Sequence, residues 1–379
     1  MDTVSPLKEG IEFVNERGGA SSILCFQCGL CTTACPWNNI KPFIPHKLMR
    51  QAQFGLYELE NEQWWWCTAC RKCEERCPRG VAIPGIQRAV RELATEWQAN
   101  PSSIRSVASS LATLGNPWQG EKQERTRWAA GRDIPQYTKG MDFFYFPCCT
   151  IAYDKRLLGV AQATSTILKR NGISFGILGK ESCCGESINK TGNGLVFRDL
   201  AKDNIFLFLN SGVQQILVNS PHCYVTLHDE YPAMGGKFEI YHSVQLLFEM
   251  LRQGKLKFKH NLDRKVIYHD PCYLGRYANL YDEPRELLKC IPGLELIEFQ
   301  DNYKNSLCCG GGGGRIWMET KKGERFSDFR LQEAVAKKAD ILATACPYCL
   351  LNFKDSQLSV AGAESLEIKD ITELIAELI

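Results

Sequence analysis

From residue 143 onward, short apolar runs alternate with longer stretches of mixed character. Phe143 to Phe146 is followed by a helical stretch over about 154–170, then "ISFGIL", a helical stretch over about 197–211 and "QILVNS". Runs this short and apolar are buried strands, and the stretches between them have helical spacing, so the pattern predicts α/β structure. The same order then returns: "VIYHD" at 266–270, a helix after Pro284, a helix over about 326–337, "DILATA" and a terminal helix. Cysteines keep the offset, with Cys272 lying 123 residues after Cys149, Cys309 125 after Cys184 and Cys349 126 after Cys223. Two tandem copies of one α/β module, 141–262 and 263–379, are predicted.

Residues 1–100 carry a different pattern. "HKLMRQAQFGLYELE" has helical rather than strand spacing, which predicts a small helical domain. Residues 101–140 hold no cysteine and contain "NPSS", "GNPWQG" and "EKQER"; they read as a linker with one helix, "SIRSVASSLATL", closed by "GNP". The fold class expected is α+β multidomain. No run approaches the roughly eighteen apolar residues of a membrane span. The first residues lack the basic and apolar regions of a secretory signal, so the expected location is cytoplasmic, with any membrane association made through partners. A net charge of +2 and a pI of 7.8 argue against a nucleic-acid partner.

Nineteen cysteines change the picture. In a chain that is not exported they point to metal ligation rather than structural disulfides. "CFQCGLCTTACP" (25–36) and "CTACRKCEERCP" (67–78) both have the C-x2-C-x2-C-x3-C-P spacing of two-cluster ferredoxins. In that spacing the fourth cysteine serves the other cluster. One [4Fe-4S] cluster is thus expected on Cys25, Cys28, Cys31 and Cys77, and the other on Cys67, Cys70, Cys73 and Cys35. Zinc also takes C-x2-C pairs, but it needs only four ligands and has no use for this repeated 2-2-3 spacing. "WWW" at 64–66 is apolar mass expected to pack beside the clusters. Arg71, Lys72, Arg76, Arg79, Arg88 and Arg91 form either a patch for an acidic redox partner or a solvated helix face.

The second module supplies Cys272, then Cys308-Cys309-Gly310, then Cys346-Pro-Tyr-Cys349. Loops at the carboxyl ends of parallel strands would bring these five thiols together. The run Gly310 to Gly314 is not a phosphate loop, because Arg315 and Ile316 stand where Lys and Ser/Thr are needed, and it is not a dinucleotide fingerprint. Its expected role is close backbone approach to an inorganic cluster, with amides offered to sulfur. Cys290 has no companions and is expected to be a buried helix residue.

These motifs resemble the "CCG" domain of heterodisulfide reductases and related iron–sulfur oxidoreductases. A two-cluster ferredoxin segment ahead of two such modules resembles the heterodisulfide reductase catalytic subunit over nearly the whole chain, as do "YHDPCYLGRY", "CCGGGGGRIWMET" and "ATACPYCL". The resemblance implies a noncubane [4Fe-4S] cluster on Cys272, Cys308, Cys309, Cys346 and Cys349. The first module departs from the pattern: it has Cys149, Cys183, Cys184 and Cys223, but Ser220 stands at the C-x2-C partner position. Cys148 is a candidate substitute. The alternatives there are a further cluster with altered ligation, a zinc site, with His222 able to replace one thiolate, or a vacant remnant.

The implied function is electron transfer through two cubanes to the noncubane site, where a heterodisulfide or protein disulfide is reduced within an anaerobic multi-subunit complex. With one complete site, reduction is expected there in two one-electron steps. His269, flanking Cys272 together with Asp270, Tyr273 and Arg276, is the candidate proton donor. The alternative is a relay subunit without its own substrate, serving a bifurcating flavoprotein, a quinone-linked protein or a benzoyl-CoA reductase type of assembly. Electrons would come from a flavoprotein subunit of the heterodisulfide reductase type or from a membrane cytochrome.

Overall fold

Two parallel sheets of identical strand order follow a helical segment, and all three share buried side chains. The computed structural model describes residues 5–379. In the helical segment, α1 (Pro45–Phe54) and α2 (Ile83–Glu96) pack around the two ferredoxin motifs. Proline stands in the first turn of both helices, where no backbone N–H is needed. Ile83, Ile86, Val90 and Leu93 recur at helical spacing and form the buried stripe of α2.

The stretch expected as a linker is built into the first module instead. Helix α3 (Ser102–Leu114) forms where "SIRSVASSLATL" predicts it and ends at Gly115 in left-handed conformation. Val107 and Leu111 on this helix, and Trp128 beyond it, belong to the core that covers the first sheet. The apolar spacing within α3 outweighs the turn-rich composition around it.

The first module runs β1 (Phe143–Tyr145), α4 (Leu158–Arg170), β2 (Phe175–Gly176), α5 (Gly194–Asn210), β3 (Gln215–Val218), α6 (Pro221–Val225), β4 (Glu239–His242) and α7 (Ser243–Arg252). Its sheet is parallel throughout, in the order β2-β1-β3-β4. The second module repeats this with β5 (Lys265–Tyr268), α8 (Asp282–Lys289), β6 (Glu295–Glu298), α9 (Phe326–Ala336), β7 (Ile341–Thr344), α10 (Pro347–Gln357), β8 (Glu367–Asp370) and α11 (Ile371–Leu378), in the order β6-β5-β7-β8. Even the hand-over from last strand to last helix is duplicated. His242 with Gln245 caps α7, and Asp370 with Glu373 caps α11, each as a reciprocal capping box.

In both sheets the strand order reverses beside the first strand, so the loops leaving the carboxyl ends open a crevice there. All cysteines of the two modules except Cys290 lie in these loops or on the first turn beyond them. Cys290 itself is exposed, just past the end of α8, and not buried as its isolation in the sequence suggested.

Arg91 of α2 joins the three parts. Its guanidinium is 2% exposed and donates to four backbone carbonyls: Trp64 at 2.7 Å, Cys67 at 2.8 Å, Lys190 of the first module at 3.0 Å and Gly313 of the second at 2.9 Å. Replacing it by methionine would leave those acceptors dry and unpaired, so Arg91→Met is expected to cost about 3 kcal/mol or more. A lowered midpoint in urea unfolding, larger than for Arg79→Met on the exposed surface, checks this.

A candidate chain of cysteine-lined redox sites

The ferredoxin motifs enclose two separate cavities. One is lined by Cys25, Cys28, Cys31 and Cys77, the other by Cys35, Cys67, Cys70 and Cys73. Each therefore takes three thiols from one motif and the fourth from the other, and the donor sets fit [4Fe-4S] clusters, which bind four thiolates apiece. The outer cavity reaches the surface. Cys28 is exposed, and so are Ile23 (80%) and Phe26 (60%) around it. The inner cavity is walled by Trp37, Phe43 and Thr68. Of the tryptophan triplet, Trp64 and Trp65 are buried, and the Trp66 carbonyl accepts a 2.6 Å hydrogen bond from Trp37 Nε1.

The basic residues around the second motif are used within the chain. Arg91 is the buried clamp; Arg71 lies 3.7 Å over the Tyr277 ring; Lys72 pairs with Asp301 at 3.4 Å; Arg76 donates to Asn305; and Arg88 pairs with Glu92 at 3.3 Å. Of the six, Arg76 and Arg79 are exposed, the latter on the rim of the outer cavity. A basic docking patch is thus not what these residues form.

In the second module all five predicted cysteines are buried. They form a chain of neighbours within hydrogen-bonding reach: Cys272 to Cys308, Cys308 to Cys309, Cys309 to Cys349 with sulfurs 3.2 Å apart, and Cys349 to Cys346. Cys308 also reaches Cys70 of the inner ferredoxin site and lies 3.6 Å from Thr68 Oγ1. The glycine run makes this approach possible. A Cβ on Gly312 would stand 2.4 Å from the Thr68 carbonyl, and one on Gly313 2.3 Å from that of Cys67. Only glycine permits such backbone-to-backbone contact between the segments. Upstream in the run, the amide of Gly310 donates to Cys308 Sγ at 3.3 Å and that of Gly311 to Cys309, as expected of a loop that solvates anionic sulfur.

The first module gathers its thiols in the same way. Cys149 reaches Cys183, Cys183 reaches Cys184, Cys184 reaches Cys223, and Cys223 reaches Cys148. Ser220 is buried, with its hydroxyl against the Cys148 thiol. Arg125, from the stretch expected as a linker, donates to Cys149 Sγ at 3.3 Å while pairing with Glu181 at 2.7 Å.

His269 lies in the strand-end position expected, with a ring nitrogen within 4.8 Å of the sulfurs of Cys309 and Cys349. It is fully buried, and neither ring nitrogen has a hydrogen-bond partner. Burial, reinforced by the guanidinium groups of Arg330 and Arg276, holds its pKa well below the usual imidazole range. That environment favours the neutral ring. Asp270, by contrast, is locked in a bidentate pair with Arg285 at 2.7 and 2.8 Å.

Sequence reasoning missed a buried network between the modules. His222, from the first module, reaches the Cys346 thiol of the second and lies 3.3 Å from Glu186. Its ring stacks on Tyr273 at 3.8 Å, and the Tyr273 hydroxyl donates to Glu186. Burial opposes its charge, but the Glu186 carboxylate and Cys346 raise its pKa to about 10. Tyr348, at the corresponding place in the second module, crosses the other way to Ser187, 2.8 Å from its hydroxyl. The signal was present in the repeat, since His222 and Tyr348 differ by the same 126 residues as Cys223 and Cys349. His222 is consequently engaged across the interface, beside Cys346 of the second module.

Comparison with known proteins agrees with this architecture. Residues 143–228 and 266–354 match the Cysteine-rich domain (CCG) family, and residues 24–82 match the 4Fe-4S dicluster domain. The chain is 34% identical over 330 residues to the probable iron-sulfur-binding oxidoreductase FadF of Bacillus subtilis (strain 168). It is likewise 34% identical, over 338 residues, to the EtfAB:quinone oxidoreductase of Syntrophomonas wolfei subsp. wolfei. Each match covers 84% of this chain but 47% of the relative, so the chain spans about half the length of these two proteins. A subunit of the dihydromethanophenazine:CoB–CoM heterodisulfide reductase of Methanosarcina barkeri is 30% identical over 385 residues, covering 93% of both chains. A hypothetical protein from Helicobacter pylori shares the fold, with a TM-score of 0.50 at 10% identity, over 98% of this chain and 72% of that one. No helix among the described residues is long and apolar enough to cross a membrane. With its dicluster segment and paired cysteine-rich domains, the chain belongs to the family of iron–sulfur oxidoreductases that includes FadF and this heterodisulfide reductase component.

Proposed function

We propose that this chain conducts electrons from the outer ferredoxin site through the inner one to the second-module cysteines, where a disulfide is reduced. In this reading Cys25, Cys28, Cys31 and Cys77 hold one cubane [4Fe-4S] cluster, and Cys35, Cys67, Cys70 and Cys73 the other. Cys272, Cys308, Cys309, Cys346 and Cys349 hold the noncubane cluster. Iron–sulfur clusters supply single-electron transfer at each site. Disulfide reduction consumes two electrons and two protons, breaks the S–S bond and yields two thiols, so two transfers complete one turnover.

The observation that carries the reading is the approach of Cys308 to the inner ferredoxin site, where it lies 3.6 Å from Thr68 Oγ1 and beside Cys70, together with a cavity that ends at Cys309. Trp37, Arg315, Arg325 and Asn352 line that cavity, and Asn352 Nδ2 lies 3.7 Å from Cys309 Sγ. Electron input and substrate access thus meet the same five-thiol set, with Trp37 lining both the inner ferredoxin cavity and the cavity at Cys309. The imidazole of His269 stands within 4.8 Å of the Cys309 and Cys349 sulfurs with both ring nitrogens free, while Arg276 adds positive charge beside Cys272 and Cys308.

At the other end, exposed Ile23, Leu24, Phe26 and Leu30 ring the outer site, which suits docking of an electron-donating partner. A flavoprotein subunit of the heterodisulfide reductase type or a membrane cytochrome would meet that need. A relay reading, in which the chain only passes electrons within a larger complex, is favoured by the 34% identity to an EtfAB:quinone oxidoreductase.

Two experiments test these assignments. In anaerobically purified protein, Cys77→Ala and Cys25→Ala are expected to give the same EPR difference spectrum, and Cys35→Ala that of Cys67→Ala. Pairing by motif instead would refute the crossed ligand sets. Cys309→Ala is expected to abolish both disulfide reduction and the oxidised-state EPR signal that added thiol perturbs, with the cubane signals unchanged. Wild-type protein that shows no thiol-sensitive signal but delivers electrons to a quinone acceptor at full rate would establish the relay instead.

A further inference from the structure

The loops of the two modules offer a comparison that spacing alone conceals. Ordered by contact, the second module runs Cys272, Cys308, Cys309, Cys349, Cys346. The first runs Cys149, Cys183, Cys184, Cys223, Cys148. Position by position the two orders correspond, until the last place. There the second module uses the cysteine three residues before Cys349, whereas the first has Ser220 at that position and brings in Cys148 from the loop after β1. Cys148 touches Cys223 as Cys346 touches Cys349, and it sits against the Ser220 it replaces.

We infer that the first module binds an iron–sulfur cluster through Cys148, Cys149, Cys183, Cys184 and Cys223, with Cys148 supplying the thiolate that Ser220 cannot. The inference rests on the proposal that the matching thiols of the second module hold a cluster.

Geometry separates this from a zinc site. With Zn–S bonds of about 2.3 Å, tetrahedral zinc draws its sulfurs to within roughly 4 Å of one another. Among the described residues no three sulfurs of the first module lie within 4.8 Å of one another, and the same holds for the five sulfurs of the second. A fifth thiol also exceeds what zinc requires, and His222 is turned toward Glu186 and Cys346. A vacant remnant would have no need of the replacement sulfur or of the buried Arg125, whose guanidinium donates to Cys149 and offsets thiolate charge. The amide of Gly185 donates to Cys183 Sγ at 3.4 Å, as that of Gly310 does to Cys308.

The sites differ in one respect. Phe146 stands 123 residues before His269, at the same step before the first cysteine, so the imidazole beside the second-module sulfurs has no counterpart in the first.

Iron, zinc and acid-labile sulfide in the anaerobically purified full chain test the inference, with Mössbauer spectra to count cluster types. Wild type is expected to carry about sixteen irons: eight in two cubanes and four in each module. Cys148→Ser should lose about a quarter of the iron and keep the cubane EPR signals, which shows that the fold survives. The double variant Cys148→Gly/Ser220→Cys, which restores the C-x2-C spacing, should regain the lost iron. Cys309→Ala serves as the separate control. If it removes no iron, the second-module reading fails; if it removes about four while Cys148→Ser removes none, only the present inference fails. One equivalent of zinc with about twelve irons in wild type also overturns it.

Discussion

Everything in this molecule depends on a buried cation that has no carboxylate for a partner. Arg91 directs its donors to four carbonyls, one or two from each of the three parts of the chain. Burial brings its pKa down to about 10, so it remains charged at neutral pH, and the neighbouring Cys67 thiol is the main group supporting that charge. Because guanidinium is planar and its donors are fixed in direction, it specifies where those carbonyls must be, not merely that they be close. The glycine loop of the second module is thereby pressed onto the backbone of Cys67 and Thr68. A side chain at Gly312 or Gly313 would push the two redox segments apart.

Duplication supplied two copies of a sheet whose loops converge, and the interface between the copies exchanges side chains in both directions. His222 enters the second module's site and Tyr348 approaches the first, with their rings 4.5 Å apart. The modules are therefore not beads on a string. The Glu186, His222 and Tyr273 network joins the loop of one module to the sulfurs of the other.

Much of this was legible in the sequence. The internal repeat, the principal strands and helices, and the family resemblance follow from periodicity and cysteine spacing, and both ferredoxin cavities are lined by the crossed sets of four. The edge strands β4, β6 and β8 were not legible: they lie at sheet margins, where charged and half-exposed residues such as Glu239, Glu295 and Lys369 interrupt the apolar run. The packed stretch 101–140 was hidden by its turn-rich composition, since only the tertiary fold reveals that Trp128 and Arg125 are buried. The basic residues near the second motif looked like a surface patch because one sequence does not show that Asp301, Asn305 and Tyr277 lie opposite them. The contact that Cys148 makes is likewise a fact of space, since the loops after β1 and β3 meet only across the crevice.

The contrast between the outer and inner ferredoxin sites has a thermodynamic meaning. Cys28 of the outer site is exposed, among exposed apolar side chains, whereas no thiol of the inner site is, and the guanidinium groups of Arg91 and Arg276 stand beside Cys67 and Cys70. An electron added to a buried thiolate-bound cluster increases its negative charge, and fixed cations nearby stabilise that charge more strongly than water-screened ones do. In the proposed assignment these two guanidinium groups raise the reduction potential of the inner site, against the lowering that removal from water brings. The same arginines that hold the domains together thus favour an added electron on the side of Cys308.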